Sequence, residues 1–175
     1  MSHDADNQPM PLTEAEIKQA RHPHELFLIN LITNHILVFV ALLGMASHNP
    51  EPLVLVPLIS VSILSYTIWR ARQSRRRDPW FVMCHWQLAA RRSRLFIIML
   101  GLLTMAMATA YSAYTWGGMM KELAWALVGG LGMLPTLVTV LVLILLESDA
   151  LHQAACGRMP KWLSKRYPRP ESAQR

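Results

Sequence analysis

Four long runs free of Asp, Glu, Lys and Arg alternate along this chain with short stretches that hold nearly all of its positive charge. The runs extend from Leu26 to Ala46, from Leu53 (or Pro52) to Trp69, from Leu95 to Trp116 and from Leu123 to Leu146, the last being the most hydrophobic. A helix needs about 20 mostly apolar residues to cross the hydrocarbon core of a bilayer, so each run predicts a span. The runs are continuously apolar rather than alternating, and backbone polar groups in lipid must be satisfied within each segment, which selects helices over a barrel. The expected fold is an all-α membrane protein: four transmembrane helices in an antiparallel up-down bundle over residues 26–146. With nearly half of the 175 residues in spans, no room is left for a soluble catalytic domain.

Charge orients this bundle. Sixteen of the seventeen Lys and Arg residues lie before the first span (Lys18, Arg21), between the second and third (residues 70–94), or after the fourth (residues 147–175); only Lys121 falls on the other side. Short loops rich in Lys and Arg stay in the cytoplasm. Both termini and the 70–94 segment are therefore expected inside, with two small external turns at 47–52 and 117–122. An Arg-rich chain with loops this short fits a bacterial inner membrane. The net charge of +6 and pI near 9.8 are explained by topology, so no nucleic-acid partner is expected.

The N-terminal segment, residues 1–25, carries a capping box at Thr13 and Glu16, with Leu12 placed for a hydrophobic staple. A short amphipathic helix from Glu14 to about Arg21 is expected, stopping near Pro23. About 25 polar residues, among them Glu14, Glu16 and Glu25, precede the first span, a pattern unlike a cleavable signal peptide. Residues 1–10 and 167–175 have the composition of disordered tails. In the external turns, Ser47, His48, Asn49, Pro50 and Glu51 make one polar connection, and the pair Gly117-Gly118 ends the third helix. Asp78 followed by Pro79 reads as an N-cap and first-turn pair, starting a cytoplasmic Arg-rich interfacial helix that runs on into the third span.

That segment offers the main candidate contact surface. Arg70, Arg72, Arg75, Arg76, Arg77, Arg91, Arg92 and Arg94 lie beside Trp80 and Trp86, a composition suited to anionic lipid headgroups. Plain topological anchoring explains the arginines first, and specific lipid recognition is the alternative. Inside the bilayer, polar groups concentrate in the first span. Asn30, Thr33 and Asn34 share a helical face and can bond across to neighbouring helices. His35, about 14 Å along the helix from Leu26 at 1.5 Å per residue, reads as a packing residue bonded to a hydroxyl of another span, with a relay role as the alternative. Hydroxyls in the second and third spans, and small pairs such as Ala106 with Ala110 and Ala126 with Gly130, also read as packing. Pro57 and Pro135, the latter following Gly129, Gly130 and Gly132, predict kinks that could frame a small cavity.

No metal site, cofactor or catalytic residue is expected. Cys84 and His85, with His152 and Cys156 beyond the fourth span, could close a tetrahedral zinc site if loop and tail met, but adjacent Cys-His is a poor half-site, and His22 and His24 read as loop residues. Glu147 and Asp149 are expected to pair with loop arginines at the membrane surface. Phosphate-binding, dinucleotide and zinc-protease motifs are missing, as is a carboxylate pair within the spans. The leading expectation is a non-enzymatic accessory, assembly or regulatory subunit acting through helix and loop contacts with lipid and with another inner-membrane protein or a second copy. The alternatives are a small oligomeric transporter or channel using Asn30, Asn34 and His35, and a lipid- or quinone-linked enzyme or redox carrier.

Overall fold

The structure, a computed structural model, describes residues 12–45 and 51–169. Every regular element among these is helical. Four helices are long and apolar enough to cross a membrane: α1 (Glu14–Met45), α2 (Glu51–Arg77), α3 (Trp80–Thr115) and α4 (Lys121–Ala155). A short α5 (Lys161–Arg166) follows. Neighbours pair in opposite register, Asn30 with Ser60 and Asn34 with the Val56 carbonyl between α1 and α2. The helices thus alternate up and down. α3 packs against α1, α2 and α4, and α1 also packs along α4.

Burial is distributed against hydropathy. In the most apolar 18-residue window of each long helix only 17–22% of the residues are buried, and Leu37, Val40, Ile98, Met105, Leu131 and Leu145 project outward. Such continuous exposed apolar surface suits lipid and not water. At the arginine-rich end the pattern reverses. Residues 81–90 of α3 are all buried except Met83, with Phe81, Val82 and Trp86 packed on Ala20, Ala71 and Ala154. Alanines on three helices let the axes close on this end, and a second cluster of Phe27, Leu31, Leu64, Phe96 and Leu143 continues the core into the spans.

Several boundaries differ from those the sequence predicts. α1 starts with the expected capping box, the Thr13 N–H donating to Glu16 at 2.9 Å and the Glu16 N–H to the Thr13 hydroxyl at 3.2 Å. It does not stop near Pro23. Proline costs a helix one hydrogen bond, but the residues just beyond it are held by other helices: His24 by α3 and α4, and Phe27 by Phe96. The N-terminal helix is therefore the first part of α1, and Leu12 packs on the alanine-rich cluster.

The 70–94 segment is likewise not a separate interfacial helix. Arg70 to Arg77 form the end of α2, Arg91 to Arg94 belong to α3, and only Asp78 and Pro79 lie between the two helices. Asp78 caps nothing with its side chain. Its two carboxylate oxygens face the Arg70 guanidinium at 2.8 and 3.0 Å, which clamps the α2–α3 corner. α3 then runs unbroken to Thr115, as expected, and ends at Gly117-Gly118. Gly118 has φ 66°, and the Gly117 and Met119 N–H groups both reach the Ala113 carbonyl at 3.1 Å.

The expectations for 1–10, for 170–175 and for Ser47 to Pro50 lie outside the described residues. Tyr167, expected in the disordered tail, is tied down by the Trp80 indole N–H, which donates to its carbonyl at 2.9 Å. α1 and α4 contain widened π-type turns, Asn30–Val38 and Val128–Met133, the second directly ahead of Pro135, and Pro57 falls in the first α-helical turn of α2. Ala126 and Gly130 face outward. The close approach falls at Gly132, where a Cβ would sit 2.8 Å from a Leu103 methyl and 3.5 Å from the Ala106 Cβ.

This contact yields a graded expectation. Gly132→Ala should cost under about 1 kcal/mol, because the end of the Leu103 side chain can turn aside, whereas Gly132→Leu should cost about 1–3 kcal/mol by prising α3 from α4. Thermal unfolding in mild detergent measures both.

Candidate functional site

The most unusual chemistry lies where α1, α3 and α4 meet at the arginine-rich end. Glu147, at the first polar position after the apolar run of α4, is completely buried. A carboxylate in that position requires partners, and two helices supply them. His24 Nδ1 lies 2.5 Å from Glu147 Oε2, and the Arg92 guanidinium lies 3.2 Å from Oε1 while also donating to the Leu146 carbonyl at 3.0 Å. The chain of contacts continues, since His24 Nε2 lies 2.9 Å from His85 Nδ1, with both imidazoles completely buried. Phe81 sits edge-on to His85 with ring centroids 4.7 Å apart.

Proton placement along this row has two consistent forms. If His24 is neutral with its proton on Nδ1, it donates to Glu147 and accepts from the His85 Nδ1–H. If both nitrogens of His24 carry protons, it donates to both neighbours. Either way Glu147, His24 and His85 form one hydrogen-bonded row, ion-paired to Arg92 at its Glu147 end, that links three helices.

Sequence reading places His24 in a loop and Glu147 at the surface. Glu147 does pair with one of the loop arginines, Arg92, but inside the bundle. One signal pointed to this unit. His24 and Glu147 each flank an apolar run at the end that the topology shares, so antiparallel α1 and α4 bring them level.

The polar residues of the first span separate into different environments. Asn30 donates to the Ser60 hydroxyl at 3.0 Å, and Asn34 donates to the Val56 carbonyl at 2.8 Å and to Asn30 Oδ1 at 3.3 Å. Both are buried, whereas Thr33 is exposed and does not join them. His35 turns the other way, its Nδ1 3.2 Å from the Asn30 carbonyl and its ring 4.8 Å from that of Phe96. The hydroxyl partner foreseen for it on another span is replaced by a backbone carbonyl of its own helix. Most other hydroxyls in the spans also bond back to their own helix, as Thr67, Thr104, Thr109, Thr136 and Thr139 do to the carbonyl four residues earlier.

The zinc candidates are not brought together. Cys84 is buried with Leu88, Ala150 and Leu163, His85 belongs to the Glu147 unit, and His152 and Cys156 are exposed, 3.7 Å from each other. Among the described residues no three His, Cys, Asp or Glu side chains are placed so as to hold a metal ion.

The headgroup candidates divide too. Arg72, Arg75, Arg76, Arg77, Arg91 and Arg94 are exposed. Arg70 is engaged with Asp78 and lies over the Trp86 ring at 5.1 Å, and Arg92 is engaged with Glu147. Trp86 is 3% exposed and cannot touch a headgroup, because the alanines around it draw the helices over it. Trp80 is half-buried against the tail. No protein-family model, curated protein or solved structure matches this chain.

The two ion-pair systems predict separate behaviour. Replacing Glu147 by Ala leaves His24 and Arg92 without their shared acceptor and should cost about 3–5 kcal/mol; Glu147→Gln, which keeps one carbonyl acceptor, should cost less. An unchanged melting temperature for Glu147→Ala would contradict the buried unit. At the α2–α3 corner, burial pushes the Asp78 carboxyl up, but the hydrogen bonds from Arg70 and Ser74 and the charges of Arg70 and Arg77 together outweigh it and hold the pKa below its ordinary 3.8. The clamp thus contributes its full stability above that pH and loses it as the pH falls through the lowered value. The difference in melting temperature between wild type and Asp78→Asn should be widest above pH 4 and should close under more acidic conditions.

Proposed function

We propose that this chain is a non-enzymatic multi-pass protein of a bacterial inner membrane, with both termini and the arginine-rich end in the cytoplasm, serving as an accessory, assembly or regulatory subunit. The observation that carries the reading is how the polar groups inside the bundle are used. Asn30, Asn34 and Ser60 join α1 to α2, Glu147 joins α4 to α1 and α3, and the threonines bond within their own helices. These interactions commit the asparagine amides and the threonine hydroxyls to contacts between and within the helices. Most of the exposed positive charge lies at one end, on the arginines of α2, α3 and α5.

That end is suited to contact with anionic lipid and with a partner protein or a second copy, since a long, packed helical extension presents its cations beside the bilayer. The orientation follows from the charge asymmetry of the short connections. The channel reading would need Asn30, Asn34 and His35 to face a shared space, whereas Asn30 and Asn34 turn to Ser60 and the Val56 carbonyl and His35 turns to Phe96.

The orientation is tested with a reporter that works only in the cytoplasm. It should be active when fused after residue 175 and silent when inserted near residue 49. The subunit role is tested by purification in mild detergent, where a companion at constant stoichiometry is expected. Ion or solute flux through liposomes containing the purified chain alone would overturn it in favour of transport.

A further inference from the structure

The short helix α5 folds back onto α3, and Leu163 is buried with Cys84, Leu88 and Ala150. This placement carries Trp162, Arg166 and Tyr167 to the side of the bundle where Arg75, Arg91 and Arg94 emerge, and together they line a cavity of about 240 Å³. Among the described residues none of the four arginines is paired with a carboxylate. Two of them are held in place by rings and an amide. Arg91 stacks over Trp162 at 5.1 Å, and Arg75 lies over Tyr167 at 6.0 Å while donating to Gln87 at 3.0 Å. Stacking occupies the face of a guanidinium and leaves N–H groups at its edge, which match the paired oxygens of a phosphate.

A second, mainly apolar cleft of about 720 Å³ opens directly beside the first. Arg91, Arg94 and Trp162 border both, and Leu95, Ile98, Leu143 and Leu146 form its apolar side. Those four leucine and isoleucine positions begin the spans of α3 and end the span of α4. A cationic, aromatic-rimmed cavity therefore adjoins an apolar groove at the edge of the membrane, with Arg91, Arg94 and Trp162 between them.

From this juxtaposition we propose that α3, α4 and α5 form a binding site for one anionic glycerophospholipid, its phosphate held among Arg75, Arg91, Arg94 and Arg166 and an acyl chain lying along Leu95, Ile98, Leu143 and Leu146. The occupant follows from complementarity on both sides. The clustered guanidinium groups suit a dense negative charge, and the adjoining apolar groove suits a hydrocarbon tail attached to it, which a soluble phosphate or an acidic peptide lacks. The proposal rests on the reading of this end as lying at the bilayer surface. It differs from general headgroup attraction because it excludes Arg72, Arg76 and Arg77, which do not line the cavity, and includes Trp162 and Arg166 of the tail.

The test reconstitutes the full chain in nanodiscs containing phosphatidylglycerol and phosphatidylcholine, extracts it in mild detergent and counts retained lipid by native mass spectrometry. One phosphatidylglycerol per chain should be retained over phosphatidylcholine. In the double variant Arg91→Gln/Arg94→Gln the preference should fall roughly 30-fold, while Arg76→Gln/Arg77→Gln, an equal loss of charge at the same end, should leave it unchanged. Should the first pair fail to fold, Arg166→Gln on exposed α5 should by itself reduce retention.

Equal losses in the two double variants, retention without headgroup preference, or displacement of the lipid by millimolar inorganic phosphate would each overturn the site. Orientation is read independently by the reporter fused after residue 175. Loss of lipid preference with a normal reporter signal refutes the site alone, and an inverted reporter refutes the topology.

Discussion

A fully buried carboxylate sets the terms for the arginine-rich end of the bundle. Glu147 emerges from the apolar run of α4 with no access to solvent, and an isolated charge there would be prohibitive. His24 from α1 and Arg92 from α3 remove that penalty only if all three helices lie side by side with these residues level. The unit therefore fixes axial register as well as contact. Greasy spans alone would slide with little cost, since lipid is as apolar as the side chains it would replace.

The same logic accounts for the distribution of burial. Within the spans, association relies on a few small or polar contacts, Gly132 against Ala106 and Asn30 with Ser60, together with the cluster around Phe27, Leu64 and Phe96, while many large apolar side chains remain outside. Beyond the apolar runs the helices continue, and here alanines at 20, 71, 90 and 154 bring them together around Phe81 and Trp86. This extension packs as a water-soluble core packs, with Leu163 of α5 sealing one side. Arginines mark its outer surface because they line the same helices whose inner faces make the core.

What the sequence revealed and what it concealed follow from the range of the interactions. Absence of charge over some twenty residues is a local property, and so are the Thr13–Glu16 capping box and the glycine pair after Thr115. Each is legible without knowing what lies opposite. Pro23 and Asp78 misled because local rules were applied where distant partners decide: His24 and Phe27 carry α1 past the proline, and Arg70 takes the carboxylate that would have capped α3. The His24–Glu147–His85 row was hidden more deeply, since its members are 61 to 123 residues apart. Only the shared end of two apolar runs hinted at it.

The widened turns show how polar chemistry and backbone geometry support each other within the spans. In α1 the π-type stretch Asn30–Val38 rotates the helix surface, and the Phe39 N–H reaches back to the Asn34 carbonyl, five residues away. Thr33, which a regular helix would place beside Asn30 and Asn34, faces outward, while His35 turns to Phe96. In α4 the stretch Val128–Met133 comes just before Pro135, which has no N–H to donate to the preceding turn, and the Thr136 and Thr139 hydroxyls donate to the Gly132 and Pro135 carbonyls four residues earlier, each at 2.8 Å. In lipid a hydroxyl has to find its partner within the protein. Bonding back to its own helix meets that need, so these hydroxyls are accounted for within their helices, and their presence at membrane depth is by itself no sign of a conducted path.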